Sequence, residues 1–181
     1  MYCNLTNFTI GFPKITFDEA VNLLLQSGIA GLVNNTLSTR DITAKGEIEL
    51  FKILKISTPL WVMNYDRDRV PFYQKPDPAN KDKVINADLL FPPIIKGSFG
   101  GEIVGCGQRQ DSADEMYESL QRQNVSSAKY EWYINLRNLP GYATTSGFGL
   151  GVERFIAWAL CMDDIKNVTP YPRLKNVLTY P

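Results

Sequence analysis

The chain has 181 residues, in which 19 Lys and Arg residues balance 19 Asp and Glu residues, and it contains no histidine. Its length and its 44% hydrophobic content are typical of a single globular domain. The balanced charge argues against a strongly basic nucleic-acid-binding surface. The lack of histidine excludes histidine base catalysis and His-containing zinc sites.

Cysteine usage and the chain start predict the compartment. Cys3, Cys106 and Cys161 are odd in number and scattered, which favours a reducing compartment over a disulfide framework. The first ten residues lack the basic start and long apolar core of a signal peptide, and no later stretch is long enough to span a bilayer. We therefore expect a cytoplasmic protein without a membrane segment.

The first third of the chain predicts two helices. The first spans ITFDEAVNLLLQSG, where Thr16 and Glu19 have capping-box spacing and Gly28 ends the apolar pattern. The second spans GEIELFKIL. Extended apolar segments then predict strands at PLWVMNYD, VPFYQK, VINADLLF and GEIVGCGQR, with KPDPANKDK as a polar hairpin loop.

Two further helices are predicted beyond these strands, at SADEMYESLQRQN and SSAKYEWYINLRN. Ser112 and Glu115 give the first of them another capping box. No repeat and no linker divides the sequence. The order of elements predicts an α+β fold, a mostly antiparallel sheet backed by helices, as one domain over residues 1–181.

Glycines alternate with apolar residues in GFGLGVERFIAWALCMDDI, at Gly147, Gly149 and Gly151. Alternate residues of a strand share a face, so these glycines leave one face bare. A planar group can lie on such a face, with the Arg154 guanidinium at its rim. The spacing alone equally allows a strand packed against another backbone, with Arg154 as a surface charge.

An apolar helix follows the glycines directly. Its residues Val152, Phe155, Ile156 and Ala159 recur at helical spacing. We expect this face to anchor the helix in the core.

The segment GFGLGVERFIAWALCMDDIKNVTPYPR resembles motif 3 of class II aminoacyl-tRNA synthetases, in the form found in asparaginyl- and aspartyl-tRNA synthetases. The resemblance continues upstream through EWYINLRN, GGEIVGCGQRQ, ADLLFP, PLWVMNYD, PFYQK and FPKITFDEAVNLL. It implies the class II antiparallel sheet flanked by helices. Motif 1, motif 2 and the anticodon-binding domain have no counterpart, so the implied catalytic domain is truncated.

The resemblance implies an ATP site around motif 3. Arg154 would hold ATP at the adenine and the γ-phosphate and, with Glu102, would be catalytic. Gly149 and Gly151 would form the floor beneath the nucleotide. Ile103 would meet the ribose through its backbone.

A magnesium site and an amino-acid site are implied beside it. Glu102 and Asp88 would bind Mg²⁺, since carboxylates suit a hard cation. Arg109 would meet the side-chain oxygen of an aspartate or asparagine substrate, for which a guanidinium fork is suited. Without the resemblance, Glu102 and Asp88 are more simply explained as solvated charges at strand ends.

These roles conflict with strict strand alternation. Position 102 is even and position 109 is odd, so a regular strand, in which alternate residues share a face, would send Glu102 and Arg109 to opposite faces. Glycine inside a strand often marks a bulge, which re-aims the residues after it. We therefore expect a bulge or break between Gly105 and Gln108, with Glu102, Arg109 and Arg154 on one cavity.

The implied function is ATP-dependent activation of asparagine or aspartate as an aminoacyl-adenylate, with a partner chain supplying motif 2. One alternative is a tRNA-independent asparagine synthetase-like amide ligase. Another is a catalytically inactive paralogue that binds a ligand or a protein. The absence of motif 2 argues against activity by the chain alone, and the missing anticodon-binding domain argues against tRNA binding.

Other differences from the family also matter. Thr144 and Thr145 stand where relatives usually show a proline-histidine pair, and Gln110 replaces a glutamate common in asparaginyl enzymes. Without motif 1 and the first part of the sheet, an uncovered sheet edge and apolar surface are expected. They predict a homodimer or a hetero-complex.

Overall fold

The computed structural model describes residues 11–36, 39–173 and 175. Within this part of the chain the strands are β1 (Lys14–Thr16), β2 (Val33–Asn35), β3 (Arg40–Ile42), β4 (Leu60–Met63), β5 (Pro76–Asp77), β6 (Asn80–Val84), β7 (Asn86–Phe91), β8 (Gly101–Gln108) and β9 (Ser146–Leu150). A five-stranded sheet has the order β1-β4-β7-β8-β9. β1 runs parallel to β4, and the other neighbours are antiparallel. The expected mostly antiparallel sheet is confirmed.

The α-helices of the described residues are α1 (Phe17–Gln26), α2 (Ala44–Leu54), α3 (Ala113–Arg122), α4 (Glu131–Asn135) and α5 (Val152–Ala159). The capping box predicted for α1 is present, because Glu19 N–H donates to Thr16 Oγ1 at 3.2 Å and Thr16 N–H donates to Glu19 Oε2 at 2.7 Å. The Ser112 hydroxyl accepts a hydrogen bond from Glu115 N–H at the start of α3. Each such cap contributes about 1 kcal/mol to helix stability.

The segment VPFYQK was predicted to be a strand, and this is wrong. Residues 70–75 form turns in which the Gln74 N–H donates to the Pro71 carbonyl at 3.0 Å. Val70 and Phe72 are both buried, which imitates strand alternation, but they enter two different hydrophobic clusters. The hairpin expected at KPDPANKDK is present, with β5 and β6 as its arms.

The core has two parts. The larger cluster packs α1 and α2 against the sheet, and its fully buried members include Phe17, Leu24, Leu50, Leu60 and Leu90. The smaller cluster lies at α3 and α4, and it contains Phe72, Met116, Leu120 and Ile134. The 70–75 turns join the two clusters.

Helix α5 packs with a different face from the one predicted. Val152, Phe155 and Ile156 are exposed, whereas Ala157 and Trp158 are buried. The Trp158 ring packs against Phe91 with centroids 4.7 Å apart, and its indole N–H donates to the Pro92 carbonyl at 2.8 Å. The helix is apolar on more than one side, so periodicity alone did not identify the face that contacts the sheet.

Strand β9 and helix α5 leave an uncovered apolar surface, which we call the β9–α5 face; it comprises Phe148, Leu150, Val152, Phe155, Ile156 and Leu160. Phe148 is 74% exposed and Leu160 is 60% exposed. Among the described strands, β9 pairs only with β8, so its outer edge is open. Open edges and contiguous apolar patches are usually covered by another chain or segment.

We expect the protein to form a dimer or a hetero-complex through the β9–α5 face. If it self-associates, replacing Leu150 and Leu160 together with lysine should shift the light-scattering mass toward the monomer at micromolar concentration. Leu25→Lys is the matched control, because Leu25 is 55% exposed but lies on α1, beside the opposite edge of the sheet. A monomeric mass for the unaltered protein, with no partner bound, would refute the expectation.

Cys106 and Cys161 are free thiols within the described part of the chain, and Cys3 lies outside the described residues. Among the residues that the structure describes, no helix has the length and apolar character needed to cross a membrane.

Candidate active site

The predicted glycine face exists, and it spans two strands. β9 pairs with β8 so that Gly149 lies opposite Gly105 and Gly147 lies opposite Gly107. Because paired residues share a face, these glycines form a continuous floor without side chains of its own at one end of the sheet, over which side chains from neighbouring segments lie at positions 105, 107 and 147. A Cβ added at Gly149 would meet no atom within 4 Å, so the floor opens into free space there.

The regular alternation of side chains along β8 breaks at Ile103, not between Gly105 and Gln108 as predicted. Leu89 pairs with Val104 but Leu90 pairs with Glu102, so Ile103 is the extra residue of a bulge. The bulge turns Glu102 to the face of Gly105. The glycines at 105 and 107 instead provide close approach to neighbouring side chains.

Glu102 and Arg109 therefore line one cavity of about 450 Å³, together with Asp88 and Gly149. Arg154 does not line this cavity, which corrects the prediction of a single pocket. It lines an adjoining cavity of about 300 Å³ with Glu47 and Glu102. Glu102 is thus the residue that both cavities share.

The carboxylates of Asp88 and Glu102 converge above Gly105. One oxygen of each lies 3.2 Å from the point that a Cβ on Gly105 would occupy. Burial and the neighbouring Glu102 charge raise the pKa of Asp88 to about 6, although a hydrogen bond from Tyr65 opposes this. Converging carboxylate oxygens of high charge density suit a hard cation such as Mg²⁺. The described residues contain no group of three or more His, Cys, Asp or Glu side chains arranged to hold a metal, so substrate or water oxygens would complete the coordination.

Arg154 folds back over the motif-3 glycines. Its Cδ lies 3.0 Å from the position of a Cβ on Gly151, and its Nη1 donates to the Glu102 carbonyl at 2.9 Å and to Glu102 Oε2 at 3.1 Å. The Ile103 carbonyl accepts a hydrogen bond from the Gly151 N–H at 3.0 Å. A carbonyl oxygen has two lone pairs, so Ile103 retains capacity for one more donor.

Arg109 lies across the other end of the glycine face. Its guanidinium carbon is 4.8 Å from the centroid of the Tyr73 ring, and its Nη2 lies 2.8 Å from the position of a Cβ on Gly147. Within the described part of the chain no carboxylate forms an ion pair with it. Its donors are therefore available to an anionic or carbonyl oxygen in the cavity.

Glu47 is a further site residue, not among those predicted from the sequence. Its Oε2 accepts a hydrogen bond from the Glu102 N–H at 2.9 Å, directly beside the bulge. Burial, with added repulsion from Glu102 and Asp88, raises the pKa of Glu47 to about 7. A Cβ on Gly101, whose φ is +102°, would overlap this carboxylate, so both the backbone angle and the contact require glycine. The signal in the sequence is the spacing of Glu47 from Leu50 and Phe51, which places it on the buried face of α2.

Residues 2–175 match the family described as tRNA synthetases class II (D, K and N). The chain belongs to this family. This class II synthetase chain is 36% identical over 177 residues to the asparagine–tRNA ligase of Thermococcus kodakarensis. The alignment covers 98% of this chain and 38% of the relative. The resemblance seen in the motifs is confirmed.

Solved structures agree with the synthetase fold. The asparaginyl-tRNA synthetase of Pyrococcus horikoshii, complexed with asparaginyl-adenylate, has a TM-score of 0.79 at 35% identity over 97% of this chain and 37% of its own. The aspartyl-tRNA synthetase of Entamoeba histolytica, at 22% identity, has a TM-score of 0.77 over 94% of this chain and 33% of its own, and supports the fold alone. This synthetase chain spans about two-fifths of the length of such relatives.

Gln110 and Thr144, which the resemblance singled out as differences from the family, have structural roles here. Gln110 is fully buried, and its Nε2 donates to the Ser119 hydroxyl at 2.9 Å. The Thr144 hydroxyl donates to Asp111 at 2.9 Å. Both hydrogen bonds hold the segment that directly follows Arg109, and neither Gln110 nor Thr144 lines its cavity.

Proposed function

We propose that this chain binds ATP and a small amino acid and activates asparagine or aspartate as an aminoacyl-adenylate. One observation carries the proposal. The bulge at Ile103 brings Glu102 onto the cavity of Asp88 and Arg109, and Glu102 also contacts Arg154. Paired carboxylates and two separate guanidiniums are thereby collected around a bare glycine floor.

The nucleotide side of the proposed site consists of Arg154, Gly149, Gly151 and Ile103. The adenine ring would lie on the glycine floor near Gly149, where no side chain intrudes. The Arg154 guanidinium would stack on that ring and donate to the γ-phosphate, and the Ile103 backbone would meet the ribose. The Arg154–Glu102 pair is 45% and 36% exposed, so it contributes little stability and can exchange partners readily.

Asp88 and Glu102 would hold Mg²⁺, and their converging oxygens fit that ion. When bound, the metal would screen the negative charge of the phosphate oxygens. Arg109 would donate to the side-chain oxygen of the amino acid and so orient its α-carboxylate toward the nucleotide.

In the proposed reaction an α-carboxylate oxygen of the amino acid attacks the α-phosphorus of ATP. A new P–O bond forms, the bond to the pyrophosphate oxygen breaks, and pyrophosphate leaves with its electron pair. We propose that a partner chain supplies a further cation at the α-phosphate, since Arg109 and Arg154 are already assigned to the amino acid and to the nucleotide. Electrostatic preorganisation is often the largest catalytic contribution, so full activity is expected only for the completed site.

ATP–pyrophosphate exchange with asparagine or aspartate, with and without a candidate partner chain, tests this proposal. We expect exchange that depends on one of these amino acids, rises with the partner, and is lost in Glu102→Gln. Nucleotide binding without exchange under any of these conditions would instead support the inactive, ligand-binding alternative. Exchange by the chain alone would show that no partner is needed.

The cellular compartment and the acceptor of the activated amino acid are part of the same proposal. The relatives are named as tRNA ligases, but transfer to tRNA would require contacts beyond the proposed adenylation site. We propose a cytoplasmic setting, where ATP and free amino acids are both present. An assay of tRNA charging, run beside the exchange assay, separates adenylation from transfer.

A further inference from the structure

Gln74 lies beside Arg109 at the wall of the 450 Å³ cavity. The two residues form an isolated antiparallel bridge. Hydrogen bonds from Lys75 N–H to the Gln108 carbonyl and from Gln110 N–H to the Tyr73 carbonyl, both 2.9 Å long, fix the bridge on either side. The two side chains are therefore held as neighbours by their backbones.

The side-chain oxygen of Gln74 is buried and has no hydrogen-bond partner within the described part of the chain. It lies directly over Gly107, where any Cβ would overlap it. Glycine at position 107 is therefore what admits this side chain to the cavity. Buried acceptors without donors are rare in proteins, and a ligand in the cavity that Gln74 lines could supply the donor for this one.

Arg109 and Gln74 together offer complementary hydrogen-bonding groups. A guanidinium only donates, whereas the Gln74 oxygen only accepts. A carboxamide matches this pair, because its oxygen accepts from Arg109 and its N–H donates to Gln74. A carboxylate has no N–H, so it leaves the Gln74 oxygen facing another oxygen.

We propose that Gln74 is a specificity-determining residue that selects a carboxamide side chain, and therefore asparagine over aspartate. This inference rests on the proposed function. It assigns to Gln74 the contact with the substrate N–H and leaves Arg109 as the contact to the substrate oxygen.

Two stable adenylate mimics test the inference, sulfamoyl adenosines that carry asparagine or aspartate, titrated calorimetrically into the protein with Mg²⁺. We expect the unaltered protein to bind the asparaginyl mimic more tightly. Gln74→Met should weaken that binding about tenfold or more, whereas binding of the aspartyl mimic should not weaken and should tighten if the two oxygens repel each other. Gln74→Glu retains an acceptor for the amide N–H, so this variant should still bind the asparaginyl mimic. Its carboxylate would repel the aspartyl side chain, so binding of the aspartyl mimic should be lost.

Gln121→Met is the matched control, since Gln121 is exposed on α3, away from the cavity, and should change neither affinity. Equal affinities for the two mimics, or an equal loss of both in Gln74→Met, would overturn the inference while the proposed function stands. Equal affinities would also be the outcome if the Gln74 amide turns over to donate to a carboxylate. Binding of neither mimic, nor of ATP, would overturn the proposed function and the inference together.

Discussion

Replacing Arg154 with alanine is expected to weaken ATP binding by about ten- to a hundredfold, which corresponds to the loss of a charge-assisted contact worth ~1.5–3 kcal/mol. Arg154 is the guanidinium at the rim of the glycine floor, where it lies over Gly151 and contacts Glu102. It is 45% exposed, so its removal should change the free energy of unfolding little. Titration calorimetry with ATP and Mg²⁺ measures the effect.

Arg122→Ala is the control for this experiment. Arg122 also pairs with carboxylates, Asp68 and Asp82, on the surface of α3, but it lines neither cavity. Its loss should leave ATP affinity unchanged. If the unaltered protein binds no ATP or AMP at millimolar concentration, the nucleotide site is refuted and the inactive alternative gains support.

The second large effect is expected at Glu47, where substitution with glutamine should stabilise the protein at alkaline pH. Burial raises the pKa of this carboxyl from an ordinary value of 4.5 to about 7. The native state therefore binds more protons than the unfolded state between these pH values. Because of this difference, the free energy of unfolding falls as the pH rises through that window.

The size of the effect follows from the pKa shift. Above pH 7 the ionised Glu47 lowers the free energy of unfolding by about 3 kcal/mol, and below pH 4.5 it costs nothing. Glutamine stays neutral, and its amide oxygen can still accept the hydrogen bond from Glu102 N–H. Asp88, with a pKa raised to about 6, contributes a penalty of the same sign in both proteins.

Urea denaturation in magnesium-free buffer at pH 4.5 and pH 8 tests this prediction. Glu47→Gln should be the more stable protein at pH 8 by up to about 3 kcal/mol, and the advantage should shrink toward zero at pH 4.5. Asp114→Asn, on the exposed first turn of α3, controls for removing a charge from a helix start. An advantage of equal size at both pH values would contradict a titration of Glu47.

Elements with local signals could be predicted from the sequence. The capping residues Thr16 and Ser112 start α1 and α3, and glycines alternate along β9 as the pattern required. Each signal acts within three or four residues, so it does not depend on the rest of the chain. By contrast, Val70 and Phe72 gave a false strand, because their burial depends on two clusters that form only in the folded protein.

The candidate site, too, was predicted from the sequence only in part. The family resemblance implied that Asp88, Glu102, Arg109 and Arg154 belong to one site, and the structure gathers them around two adjoining cavities that share Glu102. Their catalytic and binding roles remain predictions. Parity alone showed that β8 had to be irregular, since a regular strand could not turn Glu102 and Arg109 to the same face.

The sequence by itself therefore determined the family, the order of the elements, the bare glycine face and the need for a break in strand alternation. Only the tertiary structure decided that the break lies at Ile103. The bulge position depends on the register with β7 and on the hydrogen bond from Glu102 N–H to Glu47, 55 residues away. The same holds for Gln74, which lies in the 70–75 turns and enters the cavity because Gly107 on strand β8 leaves room for it. Such contacts join residues that are distant in the chain, so no local pattern encodes them.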